Sequence, residues 1–429
     1  MQAPISDSRQ PPLRLSLGIW SLAASFYQFG VFHRVTPGVL TDELSQSFHL
    51  SHAGLGNLSA FYFYFYAAMQ VPVGLLVDRI GPRAVLTAGC LLGGLGAALF
   101  GIAPNLAWAA AGRGLVGGSV AVGWVSLLVL IGRWFAPHRF ATMSGLSLAV
   151  GTLGAVLAGI PLKVLADLYG WRTVMLASGA FSLLLGLSIW RFVRNSPQDR
   201  RYANVVSPAQ LEEESIPLHI ALMRIMNHAA VWLLFWAPSG VCGAFLTFTG
   251  LWGVPYLVTM YGFDIKMASS IVTLMLIAYA IGSLAFGAWS DSMGLRKTPY
   301  LTGASLTFLC FAGLGLFPGM SAALAILLLL LGALGSGVMG LGFVYVKESV
   351  PRSLAAAAVG FVNLGVMVGP LIQQPLLGAV LDHYSIEGVQ GYSKAGMTTC
   401  MLILAVWVAS AIAALAATRE THAQARYAD

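Results

Sequence analysis

Two positively charged side chains, Arg34 and Arg113, lie inside long apolar stretches of the sequence. A charge at the centre of a lipid bilayer costs at least about 2.5–3.5 kcal/mol, so such a residue is a candidate for function. A guanidinium group binds a carboxylate through two parallel hydrogen bonds. The two arginines are therefore candidates to bind an acidic group of a small molecule. In the alternative interpretation, Arg34 extends its head to the membrane surface and Arg113 makes a structural hydrogen bond to a neighbouring helix.

The sixteen Asp and Glu residues all lie between the apolar stretches or at their ends. The two arginines thus have no acidic counterpart within the stretches, and a negatively charged or zwitterionic ligand would supply one. The nearest candidates for a proton acceptor are His33, Asp42 and Glu43. Histidine changes its charge near neutral pH, which suits this role, although His33 could equally face lipid headgroups at a helix end. Proton symport, exchange and facilitated diffusion all remain open.

Uncharged polar side chains also interrupt the apolar stretches. At helical spacing Tyr62, Tyr66 and Gln70 share one face, and their hydroxyl and amide groups need polar partners. We expect this face to line a polar cavity; packing between helices is the alternative. Four further candidates for ligand binding of the same kind are Tyr27, Gln28, Asn363 and Gln373.

No motif in the sequence predicts a cofactor, a metal ion or an enzymatic reaction. The string from Gly335 to Gly340 reads G-x-G-x-x-G, but it lies within one apolar stretch instead of between a strand and a helix. Close packing of helices explains it better. The four cysteines are scattered through apolar stretches, and the formal charge of +7 is spread over loops. We therefore expect neither a metal centre nor a nucleic-acid partner.

The elements that carry these residues are predicted to be membrane-spanning helices. Of the 429 residues, 58% are hydrophobic and only 9% are charged, too few charges to cover a soluble protein. A helix needs about 20 apolar residues to cross a bilayer. Twelve stretches meet this length, near residues 15–40, 54–77, 84–103, 106–131, 143–165, 173–193, 231–256, 268–289, 300–317, 322–345, 356–381 and 395–417. The predicted fold class is an all-α membrane protein with twelve transmembrane helices in two pseudo-symmetric six-helix halves.

The polar stretch between the sixth and seventh spans divides the chain. We predict an N-terminal half over residues 1–193, a cytoplasmic linker with an amphipathic segment over 194–228, and a C-terminal half over 229–429. Among the 23 Lys and Arg residues, only Lys163, Arg172, Lys266 and Lys394 fall in loops on the side opposite the termini. Since basic loops stay in the cytoplasm, both termini are predicted to be cytoplasmic in a plasma membrane, such as a bacterial inner membrane.

A loop motif occurs twice, about half a chain length apart. After the second span, residues Gly74, Asp78, Gly81 and Arg83 follow the pattern G-x-x-x-D-x-x-G-x-R. The same pattern follows the eighth span, at the same place in the second half, with residues Gly287, Asp291, Gly294 and Arg296. Two similar halves indicate a molecule with a pseudo-two-fold axis and a central pathway.

The first copy of this motif resembles the signature loop of the major facilitator superfamily, and Arg113 with Gly117 resembles that family's motif on the fourth helix. The resemblance covers essentially the whole chain. It implies transport by alternating access, and it implies that the loop motifs, with Arg79 and Arg139, form contacts that hold the outward-open state. Two departures are Pro82, where the family usually has a basic residue, and the missing Gly-Pro pair of drug/proton antiporters in the fifth span.

Three stretches, at residues 55–69, 250–257 and 360–369, are similar to bacterial relatives of the lysosomal dipeptide transporter and to bacterial amino-acid transporters. We therefore predict a monomeric secondary transporter, a symporter or uniporter, of a small carboxylate-bearing solute: an amino acid, a short peptide or an organic anion. The alternatives are a drug or metabolite efflux carrier, or a membrane sensor or enzyme that does not transport.

Overall fold

The computed structural model describes residues 10–136, 139–203, 218–351, 354–385 and 391–422. Within these ranges every regular element is a helix. Long apolar runs favour helices because a helix satisfies its own backbone hydrogen bonds without water. The helices of the first part of the chain are α1 (Leu13–Val39), α2 (Thr41–Phe48), α3 (His52–Ile80), α4 (Pro82–Ile102), α5 (Leu106–Trp134), α6 (Phe140–Leu157), α7 (Ile160–Tyr169) and α8 (Trp171–Phe192).

The second part of the chain repeats this pattern of long helices and short connections. It begins with a short helix that precedes the seventh predicted span. The helices are α9 (Leu218–Met226), α10 (Ala229–Thr247), α11 (Gly253–Tyr261), α12 (Ile265–Met293), α13 (Lys297–Leu316), α14 (Ala322–Ser336), α15 (Met339–Glu348), α16 (Ala355–His383) and α17 (Lys394–Ala417).

Eleven helical segments of the described chain are long and apolar enough to cross a membrane. Three of them join consecutive helices into single spans, α6 with α7, α10 with α11, and α14 with α15. The remaining predicted span coincides with α3, whose 29 residues extend about 43 Å at 1.5 Å per residue. The predicted all-helical membrane architecture is therefore confirmed.

The span formed by α10 and α11 contains a feature that the sequence analysis missed. A wide, π-helical turn over Phe248–Trp252 joins the two helices, and all five of its residues are buried. Such turns are rare in proteins and occur frequently at functional sites. The backbone carbonyl of Gln374 in α16 accepts a hydrogen bond from Trp252 Nε1 at 3.2 Å, which fixes the end of the turn.

Glycines allow the helices to approach closely. In the N-terminal part, a Cβ on Gly94 would lie 2.8 Å from the Gly179 carbonyl oxygen, so α4 and α8 meet backbone to backbone. In the C-terminal part, a Cβ on Gly282 would overlap the Leu334 carbonyl, where α12 meets α14. Membrane helices commonly associate through small residues in this way, because lipid gives no hydrophobic drive for association.

The chain divides into two compact units. One unit contains Met1–Arg34, Ala68–Ala155 and Leu165–Glu214. The other contains Ser215–Asp429 together with Val35–Ala67 and Val156–Val164. The second unit thus includes the end of α1 and the beginning of α3. The sequence-based boundaries at residues 193 and 228 stay a prediction.

Candidate functional site

Arg113 lies on α5 and is only 1% exposed. Its Nη1 donates a hydrogen bond of 2.7 Å to the backbone carbonyl of His33 on α1. A buried guanidinium carries a large desolvation cost, and a hydrogen bond to a carbonyl offsets part of it. The contact joins α1 to α5 next to Arg34, so Arg113 helps to position the other candidate arginine.

Arg34 lies on α1 and is partly buried. Its Nε is buried without a hydrogen-bond partner, and no carboxylate of the described residues lies within 4.0 Å of its guanidinium. Tyr27 precedes it by two helical turns on the same face of α1. Among the described residues, Arg34 is therefore a cation in a span without an acidic partner.

His33 is a buried side chain whose neighbours lie on α1 and α8. It is 1% exposed, and its Nε2 lies 3.1 Å from Ser178 Oγ on α8. The rings of Phe29 and Phe32 flank the imidazole with centroid distances of 4.4 and 5.2 Å. The side chain thus packs between α1 and α8.

Tyr27 and Gln28 lie where α1 meets α5 and α6. The Tyr27 ring contacts the indole of Trp124 on α5, with the ring centroids 5.0 Å apart. A Cβ on Gly151 would overlap the Tyr27 ring, and one on Gly154 would overlap the Gln28 carbonyl. The glycines of α6 therefore allow α1 to approach. Trp124 was missed at the sequence level because nothing distinguishes it from an interfacial tryptophan.

The three residues of the polar face predicted for α3 differ in burial. Tyr62 is buried and its ring stacks on that of Tyr66 at 5.9 Å. Tyr66 and Gln70 are partly exposed. Aromatic stacking together with residual exposure is compatible with a surface that a ligand contacts.

The polar residues of α16 have different surroundings. The amide nitrogen of Gln373 donates to Thr247 Oγ1 at 2.8 Å, and its amide oxygen accepts from Trp407 Nε1 at 2.9 Å. Gln373 therefore joins α16 to α10 and α17. Asn363 is partly exposed. The neighbouring Gln374 is fully buried, and neither polar atom of its side chain has a hydrogen-bond partner among the described residues.

The two acidic candidates after α1 also differ. Asp42 is exposed. Glu43 forms an ion pair of 2.5 Å with Lys163, which joins α2 to α7. The ion pair thus links two short helices that are distant in the sequence.

The first loop motif is anchored within its own half of the sequence. Gly81 has a φ of +88°, which favours glycine, and a Cβ there would meet the Asn195 side chain. The Asn195 Oδ1 accepts a hydrogen bond of 2.9 Å from the Arg83 backbone nitrogen at the start of α4. The Arg83 guanidinium donates to the Trp190 carbonyl at the end of α8. Arg79 and Arg139 are exposed, and the Asp78 side chain lies outside the described residues.

The second loop motif has charged partners. Arg296 forms ion pairs with Asp291 at 2.6 Å and with Glu348 at 3.1 Å. Glu420, which follows α17, accepts hydrogen bonds from the backbone nitrogens of Arg296 and Lys297 at 2.7 and 2.9 Å. Burial raises the pKa of Glu420, but these backbone donors outweigh burial, and the net pKa lies below its usual value.

Both copies of the motif therefore share a design that sequence reasoning missed. A residue just after the last span of each half, Asn195 or Glu420, caps the first turn of that half's third span. Gly294 ends α12 at a φ of +62°. A Cβ on Gly74 or on Gly287 would meet no atom within 4 Å.

Long apolar helices joined by short polar loops define a class, the multi-pass membrane proteins. The family model of the Major Facilitator Superfamily matches residues 20–268 and 240–426. The chain belongs to this superfamily, and it is a transporter that works by alternating access, not an enzyme. The predicted family and fold class are thereby confirmed.

Two curated relatives match most of the chain. The uncharacterized transporter YybO of Bacillus subtilis is 23% identical over 387 residues, which cover 85% of this chain and 87% of the relative. The membrane sensor protein UhpC of Escherichia coli is 26% identical over 404 residues, 90% of each chain.

Two solved structures show the same fold. A bacterial homologue of the human lysosomal transporter Spinster superposes with a TM-score of 0.72 at 17% identity, covering 94% of this chain and 97% of that chain. The nucleoside transporter NupG superposes with a TM-score of 0.69 at 18% identity, covering 94% and 98%.

Proposed function

We propose that this protein transports a small carboxylate-bearing solute, such as an amino acid, a short peptide or an organic anion, and that Arg34 binds the carboxylate. The observation that carries the proposal is the environment of Arg34, a cation in a span with a buried, unpartnered Nε and no carboxylate nearby among the described residues. An anionic substrate supplies the missing charge, and a guanidinium suits its planar geometry. Arg113 supports the site from the next helix through the His33 carbonyl.

The remainder of the substrate is proposed to contact polar and aromatic side chains. Tyr27 precedes Arg34 on the same face of α1 and lies against Trp124. An aromatic wall beside a cation suits a solute that has an organic body and one acidic end. Gln28, Tyr62, Tyr66, Gln70 and Asn363 remain proposed contacts.

The proposed setting is a bacterial inner membrane with both termini in the cytoplasm and the protein acting as a monomer. The distribution of Lys and Arg over the loops supports this orientation. Substrate movement is coupled to protons or proceeds without coupling. His33, Asp42 and Glu43 are the proposed proton acceptors; His33 contacts Ser178, and Glu43 contacts Lys163.

Uptake into vesicles containing the purified protein tests the proposal. We expect labelled amino acids, dipeptides or dicarboxylates to accumulate or exchange, with and without a pH gradient. Arg34→Ala removes the charged hydrogen bonds, each worth about 1.5–3 kcal/mol, and raises the apparent KM about tenfold or more. Arg34→Lys keeps the charge without the bidentate geometry and has an intermediate effect.

Arg113→Lys and Arg113→Ala are tested in the same assay, and Arg14→Ala is the matched control because Arg14 is exposed at the start of α1. If all four variants at Arg34 and Arg113 fold and keep the wild-type affinity and rate, binding of the carboxylate by these arginines is refuted. No transport of any tested solute by folded protein would refute the proposed transport of carboxylates.

The second candidate is a membrane sensor that binds its solute without net transport. The similarity to UhpC over 90% of both chains favours it. A sensor gives ligand-dependent thermal stabilisation without uptake, whereas a carrier gives both. A drug or metabolite efflux carrier would instead show stabilisation by apolar cations and no response to Arg34→Ala.

A further inference from the structure

A carboxylate near the end of α16 binds the beginning of α3. The two oxygens of Asp382 accept hydrogen bonds from the backbone nitrogens of His52 and Ala53, at 2.7 and 2.9 Å. These are the first two residues of α3, whose backbone N–H groups have no partner within the helix. A negative charge at a helix N-terminus is stabilising because it interacts with the helix dipole. The contact joins residues that are 330 positions apart in the chain.

The imidazole of His52 responds directly to the charge of Asp382. Its Nδ1 lies 3.0 Å from Asp382 Oδ1, and the two side chains are 21% and 31% exposed. The Nδ1 has no aligned hydrogen bond among the described residues. A neutral Nδ1 that carries a lone pair is repelled by the carboxylate oxygen, whereas a protonated imidazole is attracted to it. Protonation of His52 therefore strengthens the contact between α3 and α16.

The backbones of the two helices touch along the same seam. A Cβ on Gly378, one turn before Asp382, would overlap the His52 carbonyl. A Cβ on Gly56, one turn into α3, would overlap the Gln374 carbonyl. The glycines allow contact over about two turns, so no side chain keeps the helices apart when the carboxylate and the helix end meet.

The other side chain in contact with His52 in the described chain is that of Tyr392. The Tyr392 ring stacks on the imidazole with centroids 4.6 Å apart. Burial, and then the nearby Asp42, raises the pKa of Tyr392, so its phenol stays neutral. Asp42 and Asp382 are the acids that act on this cluster, and Thr41 holds the Tyr392 hydroxyl. Histidine is the side-chain type that ordinarily gains or loses a proton near neutral pH, so the contact of His52 with Asp382 is the part of this cluster that can respond to acid.

We propose that His52 and Asp382 form a proton-sensitive latch that closes one end of the translocation pathway. The latch holds the start of α3 against the end of α16, at the end of the spans opposite the Arg83 and Arg296 loops. This inference rests on transport by alternating access, since opening that end requires the two helix ends to separate. Acidification on that side favours the closed state, and neutralisation of His52 releases it.

Spin-label distances measured without substrate test the latch. Gln46 on α2 and Ser385 after α16 are exposed, and both are replaced by cysteine in the full chain for labelling. The four native cysteines are buried, and unsubstituted protein carried through the same labelling reports their background. We expect one short distance to dominate at pH 5.5 and a longer distance to gain population at pH 8.

Two latch variants then separate charge from structure. Asp382→Asn keeps a hydrogen-bond acceptor but loses the charge, and we expect the ratio of long to short distances to rise about tenfold at both pH values. His52→Gln keeps a polar side chain but cannot be protonated, and we expect the pH dependence to vanish. His383→Gln is the matched control, because His383 is adjacent to Asp382 and exposed.

The latch is overturned if His52→Gln retains the wild-type pH dependence, or if Asp382→Asn leaves the distances unchanged. Asp264→Asn controls for the charge change, since Asp264 caps its own helix by accepting from the Met267 backbone nitrogen. The distances do not depend on any substrate. A negative result here therefore leaves the carboxylate assay unaffected, and a failed uptake assay leaves the latch open to confirmation.

Discussion

At the scale of single residues, the charges in this molecule fall into three kinds of environment. Arg113 is buried against a carbonyl, Arg34 is partly buried without a nearby acid among the described residues, and Arg296 is neutralised by acids. Of these three, we propose that Arg34 binds the anion, because no acid of the described residues lies within 4.0 Å of its guanidinium, and the proposed function therefore depends on it.

Glu420 makes a prediction about stability and pH. Its pKa in the folded protein is below the usual value, because backbone donors stabilise the carboxylate more than burial disfavours it. A lowered pKa stabilises the fold above the pKa of the unfolded chain, and this stabilisation is lost as the pH falls through the folded pKa. Glu420→Gln should therefore lower the free energy of unfolding by about 1 kcal/mol at neutral pH, with a smaller deficit under acid.

Thermal unfolding in detergent between neutral and acidic pH measures this effect. Asp291→Asn is the control, because the Asp291 side chain is 74% exposed and exposed ion pairs contribute little. Equal losses for the two variants at every pH would contradict the role assigned to Glu420.

At the scale of helices, the glycines of α12 give a matched pair of substitutions. A Cβ on Gly282 would overlap the Leu334 carbonyl of α14, whereas one on Gly287 would meet no atom within 4 Å. Gly282→Ala should force the two helices apart and lower the unfolding temperature by several degrees. Gly287→Ala should leave it unchanged or raise it slightly, because alanine favours helix by about 1 kcal/mol.

Fluorescence-monitored melting of both variants, prepared in the same detergent, distinguishes them. If Gly287→Ala destabilises as much as Gly282→Ala, the close contact between α12 and α14 does not determine the effect.

The positions of the membrane-spanning helices could be predicted from the long apolar stretches of the sequence. The fourth span was expected over 106–131, and α5 covers Leu106–Trp134. The wide turn at Phe248–Trp252 could not be predicted, because its residues are as apolar as the helices on either side. The roles of Asp382 and Glu420 depend on partners that are distant in sequence. In the sequence, nothing distinguishes them from the other acidic residues in loops and at the ends of spans. The loop motifs were recognised, but their capping partners Asn195 and Glu420 were not.

At the scale of the whole molecule, the twelve spans expected from the sequence would place both termini on one side of the membrane. Since most basic residues lie in the loops of that side, we expect both termini to be cytoplasmic. Tags on the two ends should be cleaved by protease in inverted membrane vesicles and protected in right-side-out vesicles. Opposite responses of the two tags would show that the span count is odd.

The wide turn in the seventh span also affects how the two halves are compared. One extra residue per turn rotates every later side chain by about 100° relative to a continuous α-helix. The first span of the N-terminal half, α1, has no such turn and is one helix over Leu13–Val39. Side chains beyond Trp252 are therefore out of phase with those at the end of α1. The two loop motifs are related by a constant difference in residue number. Beyond Trp252, the same difference no longer identifies equivalent residues of the first span of each half.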